Sequence, residues 1–131
     1  MIPVIYSSSF DPRNFLTMNI DVIEFYNKAC SIATELPGVI TSRSYGTPSF
    51  KVNKKMFARI REDGKTLVVY TNERNRWMKQ DPDTFFITDH YENYPLMLID
   101  LSRVKKKELQ QLLVASWQLR APKALQKLLK R

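Results

Sequence analysis

Glycine is nearly missing from this chain. Three glycines in 131 residues leave little from which to build a glycine-cradled phosphate loop, and neither GxGxxG nor GxxxxGK[ST] occurs. Cysteine appears once, as Cys30, which excludes an intramolecular disulfide and gives no sign of an oxidising compartment. Inside a predicted helix with apolar neighbours, it reads as a buried, inert thiol. Histidine is also single. His90 has Asp89 and Glu92 nearby but no second histidine, and the group falls in a predicted turn, so no metal site is expected. A Ser-His-Asp triad would need the same histidine, and no serine sits in a nucleophile-elbow motif. No stretch approaches the roughly 18 apolar residues of a membrane span. The N-terminus lacks a basic start and is interrupted by Pro3, so it does not read as a signal peptide. The expectation is a cytoplasmic protein without a cofactor.

Acidic residues are missing from one region in particular. Residues 1–100 hold 12 Lys/Arg and 12 Asp/Glu, whereas residues 101–131 hold 9 Lys/Arg and only Glu108, so the net charge of +8 lies in the last 31 residues. Such asymmetry is a reason to consider a polyanionic partner; charge alone is equally met by lysine that only solvates two amphipathic helices.

What is present suits one domain with one hydrophobic core: 44% apolar and 26% charged residues. Residues 1–17, with Pro3 and Pro12 and no helical period, read as an N-terminal arm, in which IPVIY is either an edge strand or loose; the compact domain is expected over 18–131. A first helix is predicted over NIDVIEFYNKACSIATEL, capped by Asn19, with Ile23, Tyr26, Cys30 and Ala33 on one face and Pro37-Gly38 as its stop. VITSRSYG reads as a strand broken by Gly46-Thr47-Pro48. SFKVNKKMFARIR reads as a hairpin, and TLVVYT as a central strand. Asn72 can cap a short helix, ERNRWMKQ. TFFIT and LMLIDL read as strands around DHYENYP, a turn or extended wing. In the last part, Leu109, Leu112, Leu113 and Trp117 form one helical stripe, and beyond Pro122 Leu125, Leu128 and Leu129 share a face. No βαβ rhythm appears, so an α+β fold with an antiparallel sheet is expected.

The hairpin register can be argued from charge. A three-residue loop at 53–55 places Phe50 and Val52 with Met56, Ala58 and Ile60, and Lys51 with Phe57, Arg59 and Arg61 on the wet face. A two-residue loop would bury the arginines. The candidate phosphate ligands are therefore Lys51, Lys54, Lys55, Arg59 and Arg61 of the hairpin, Arg74 and Arg76 of the short helix, and Lys105, Lys106 and Lys107 at the start of the next helix. Three lysines in a first turn oppose the helix dipole by a few tenths of a kcal/mol each, while free N–H groups there attract anions. Tyr91 and Tyr94, in a polar turn, are the aromatics expected to be exposed. Asp100, ending a strand, is the best acid/base candidate, but no motif supports an enzyme.

The order LPGV, SYGTPSFKVNKKMFARI, TDHYENYPLMLIDLSRV and ELQQLLVASWQLRAPKAL resembles the MmcQ/YjbR-like family over about residues 18–129. Two positions depart from it: the strand YPLMLIDL carries Met97 or a neighbour where tryptophan is frequent, and Lys54 stands where glycine is common in the hairpin turn. The resemblance implies a frataxin-like (CyaY-like) sheet packed on N- and C-terminal helices. It also implies DNA binding through a double-wing motif, a first wing at Phe50–Ile60 and a second at Phe85–Ile99 tipped by His90, Tyr91 and Asn93. The function expected is non-enzymatic, mostly sequence-nonspecific DNA binding by phosphate contacts. The alternative is a protein-interaction or small-ligand module with no nucleic-acid role, favoured by the neutral balance of residues 1–100 and by Asp89 and Glu92 on the second wing.

Overall fold

The computed structural model describes residues 15–44 and 46–129. Helix α1 (Phe15–Ala33) leads into four strands, β1 (Val39–Ser44), β2 (Thr47–Val52), β3 (Lys55–Ile60) and β4 (Thr66–Tyr70). These are followed by α2 (Arg74–Gln80), β5 (Phe85–Phe86), β6 (Leu96–Asp100), α3 (Lys106–Arg120) and the single turn α4 (Lys123–Gln126). The strands form one antiparallel sheet in the order β1-β2-β3-β4-β6-β5. The α+β architecture expected from the sequence is the one observed. Residues 1–14, including IPVIY, lie outside the described residues.

Alternation along the strands sorts side chains to two faces. Ala58, Val69 and Met97 are register neighbours, as are Ile60, Leu67, Ile99 and Phe85. All are buried on the face covered by α1 and α3. The α3 stripe Leu109, Leu112, Leu113 and Trp117 packs there, and the fully buried Trp117 satisfies its indole N–H on the Pro37 carbonyl at 2.9 Å. Val68 and Leu98 point the other way, where Tyr91, Phe86, Ile87 and Leu96 make a smaller apolar cluster.

Several boundaries differ from the sequence reading. Asn19 lies inside α1 rather than capping it, because the helix already runs from Phe15. Asn72 does not cap α2: the helix follows Glu73, whose N–H is held by the Thr71 hydroxyl at 3.0 Å. Pro48 sits within β2 rather than in a break. TFFIT yields only two strand residues. Leu128 is 63% exposed, since α4 ends after one turn and only Leu125 and Leu129 reach the core. Cys30 is half-buried, its thiol 3.6 Å from the Tyr26 hydroxyl.

The turn after β3 docks the sheet on α1. Gly64 has φ +73°, and a β-carbon there would lie 2.9 Å from Val22 Cγ2, so both conformation and space require glycine. Asp63 completes this turn. Its partial burial raises the carboxyl pKa, but the Thr66 hydroxyl, the Lys65 and Thr66 N–H groups and the Arg61 charge outweigh that and hold it below its ordinary value. Its contribution to stability is therefore present near neutrality and lost as pH falls through the lowered folded-state pKa.

Candidate nucleic-acid interface

The β2–β3 hairpin closes on two residues, Asn53 and Lys54, with φ +53° and +66°. Val52 pairs with Lys55 directly across them. Two central residues with positive φ are the signature of the type I′ turn, whose twist matches that of the strands. The predicted three-residue loop is thus corrected to two. The extra residue enters further down instead. Lys51 pairs with Met56 but Phe50 pairs with Ala58, which leaves Phe57 as a bulge. The bulge restores the facing that charge demanded: Phe50 and Ala58 are in the core and Arg59 is on the other face. It differs from the sequence reading in burying Phe57 and in placing Met56, expected beside Phe50 and Val52, on the opposite face with its register partner Lys51.

Helix α3 holds the bulge. The buried Ser116 hydroxyl donates to the Phe57 carbonyl at 2.6 Å and accepts from the Tyr70 N–H at 2.9 Å. Arg120 Nε donates to the Met56 carbonyl at 3.2 Å, and its guanidinium lies 4.2 Å from the centre of the Tyr70 ring. These contacts satisfy backbone groups that the bulge takes out of the ladder.

The second predicted wing is folded back rather than extended. Between the two residues of β5 and β6, the chain forms a 3₁₀ turn at Asp89–Tyr91 and folds back over the sheet. Arg74 fixes it, donating to the carbonyls of Tyr91 (3.0 Å), Tyr94 (2.7 Å), Leu96 (3.0 Å) and Glu92. Tyr91 is consequently buried, contrary to expectation, while His90 and Asn93 are exposed and Tyr94 is 56% exposed.

The ten predicted cations do not share one face. Strand directions place Lys54 and Lys55 at one end of the sheet. Arg61, and Lys105–Lys107 beyond Asp100, lie at the other, since Asp100 pairs with Thr66 next to the β3–β4 turn. The length of β3 separates the ends by about 17 Å. At that far end the Glu108 carboxylate accepts the backbone N–H of Lys105 at 3.1 Å, while the side chains of Lys105, Lys106 and Lys107 are exposed. Arg74 is committed to carbonyls. Arg76 pairs with Glu73 at 2.8 Å and lies over Trp77. Arg59 bonds the Thr47 hydroxyl at 3.1 Å and reaches Glu62 at 4.0 Å. Lys51 is half-buried beside Met56. Asp100 accepts from the Ser102 N–H and hydroxyl and caps a turn. Among the described residues no three His, Cys, Asp or Glu gather as a metal site, and no helix is long and apolar enough to cross a membrane.

Two cations missed by the motif reading join the hairpin end. Leu125 of α4 fills the space over Gly38, where a β-carbon would lie only 2.6 Å from Leu125 Cδ1. Gly38 directly precedes Val39, which pairs with Val52 of the hairpin. The exposed Lys123 and Lys127 are thereby brought to the end that carries Lys54 and Lys55. The sequence signal was the early helix stop at Pro122, which turns the chain back over Gly38.

On the sheet face away from α1 and α3 lies an open cleft of about 570 Å³, lined by Met56, Arg59, Glu62, Val68, Tyr70, His90, Tyr91, Tyr94 and Leu96. None of its aromatic residues is adjacent to the hairpin in sequence, so sequence reasoning did not assemble it.

The fold and this geometry define a class in outline: an antiparallel α+β sheet with helices on one face and a cationic hairpin at one end. The chain belongs to the YjbR family, whose family model matches residues 34–119, about two thirds of its length. In structure it is similar to Deinococcus radiodurans protein DR2400, with its DUF419 domain, at a TM-score of 0.63 and 22% identity over 75% of this chain and 82% of that one. At this identity the likeness speaks for the fold alone. Uncharacterised proteins of Mycobacterium bovis and Mycobacterium tuberculosis are each 33% identical over 45 residues, 34% of this chain and 35% of theirs. The matched segment thus spans about a third of the length of these curated relatives.

Proposed function

We propose that the protein is a non-enzymatic DNA-binding protein that grips phosphates with the hairpin end, through Lys54, Lys55, Lys123 and Lys127. The supporting observation is Lys54 itself. It occupies a left-handed conformation, φ +66°, that glycine adopts freely and that costs an L-residue about 1–2 kcal/mol. A side chain kept there against backbone preference, exposed and with no carboxylate paired to it among the described residues, is a sign of use. Because lysine is a flexible point charge, such a grip reads phosphate density rather than sequence.

The test is the salt dependence of DNA affinity by fluorescence anisotropy. Four neutralised phosphates give a slope of log K against log[salt] near −3.6 on duplex DNA. Lys54→Glu with Lys55→Glu should leave folding intact, lower affinity and flatten that slope by about two phosphates' worth, to near −1.8. An affinity that does not change with salt would move the protein to the other reading, a protein- or small-ligand-binding module.

A further inference from the structure

We infer that the cleft on the open sheet face receives an unpaired base, which makes single-stranded DNA the preferred form of the polyanion; this rests on the reading of the hairpin end as a phosphate grip. The cleft and the grip are continuous. Met56 lines the cleft, follows Lys55 in the chain and is the register partner of Lys51. A strand whose phosphates lie on the hairpin tip therefore has its bases beside the cleft mouth.

The lining suits a base and not a phosphate. Its charges are Arg59 and Glu62, 4.0 Å apart and mutually compensating, so the interior offers no net attraction to an anion. Glu62, its side chain 67% exposed, offers an acceptor for the donor edge of a neutral ring. Four rings surround that pair. Tyr94 is largely exposed, His90 stands edge-on to Tyr91 at 5.0 Å, and Tyr70 is held in place by the Arg120 guanidinium. Rigid aromatic faces beside a basic track are how proteins hold unpaired bases without strict sequence preference. Duplex DNA keeps its bases stacked and has none to insert.

The experiment compares a short single strand and a duplex of the same length, each carrying one 2-aminopurine, with the full chain at one low salt concentration. The single strand should bind about tenfold more tightly, the scale of one stacked base, and its 2-aminopurine emission should be quenched. Tyr94→Leu alters an exposed ring and should remove both the quench and the preference, leaving the duplex affinity and its salt slope as they were. If single strand and duplex bind alike without quenching, and Tyr94→Leu changes neither, the base site is refuted while the phosphate grip stands. If neither nucleic acid binds even at low salt, the grip and the base site fall together.

Discussion

The two connections expected to be wings meet solvent in opposite ways. The β2–β3 hairpin projects, ends in two residues of positive φ, and leaves Lys54 and Lys55 unpaired by any carboxylate among the described residues. The β5–β6 connection is folded down, with Tyr91 buried beneath it and Arg74 bonded to three of its carbonyls and to that of Leu96 at the start of β6. Length does not explain the difference, since the folded connection is the longer. Hydrogen bonding does. A type I′ turn satisfies its backbone within the strand pair, whereas an irregular segment needs outside donors for its carbonyls. One guanidinium with five N–H groups supplies them. An arginine and a lysine at equally polar positions thus do different work: one builds the cleft wall, the other stays available to a partner.

Substitutions at three positions probe this contrast. Arg74→Ala should have the largest effect, about 3 kcal/mol of lost stability in chemical denaturation, because several charge-assisted bonds vanish together. Amide exchange should quicken over residues 91–96, and Arg74→Lys should restore little, since a point charge cannot span four carbonyls. Wild-type stability in Arg74→Ala would mean that apolar packing under Tyr91, not the guanidinium, holds the connection down. Ser116→Ala should cost about 2 kcal/mol, by stranding the buried Phe57 carbonyl and Tyr70 N–H. It should broaden NMR signals of the bulge while leaving the hairpin tip unchanged. The smallest effect has the opposite sign. Lys54→Gly should raise stability by about 0.5–1 kcal/mol, relief of left-handed strain offset in part by glycine's unfolded-state entropy, yet weaken DNA binding. A stability gain with unaltered DNA affinity would remove Lys54 from the grip.

Fold class was legible because it is written in periodicity. The α3 stripe of Leu109, Leu112, Leu113 and Trp117, and the strand segments of β1, β3, β4 and β6, follow local hydrophobic spacing. The candidate site was legible only in part. Lys54 and Lys55 stood out as charges at a turn. Arg74 looked like one more cation, because nothing local reveals that carbonyls 17 to 22 residues away will surround it. Tyr91 looked exposed because its neighbours are polar, and the cleft draws on residues from Met56 to Leu96 that meet only across the sheet.

The hairpin shows where the division falls. By itself the sequence determined that Phe50 and Ala58 must face the core while Arg59 faces away, and hence that the hairpin must hold an extra residue, expected in its loop, because burying a cation costs far more than adjusting a backbone. Tertiary structure decided where that residue goes. Ser116 and Arg120 accommodate Phe57 and Met56 as a bulge from 59 and 64 residues away, so the turn tightens to Asn53-Lys54 and Lys54 is forced to positive φ. Alternation is a property of neighbours along the chain; the satisfaction of a displaced carbonyl depends on whichever donor the folded chain brings to it.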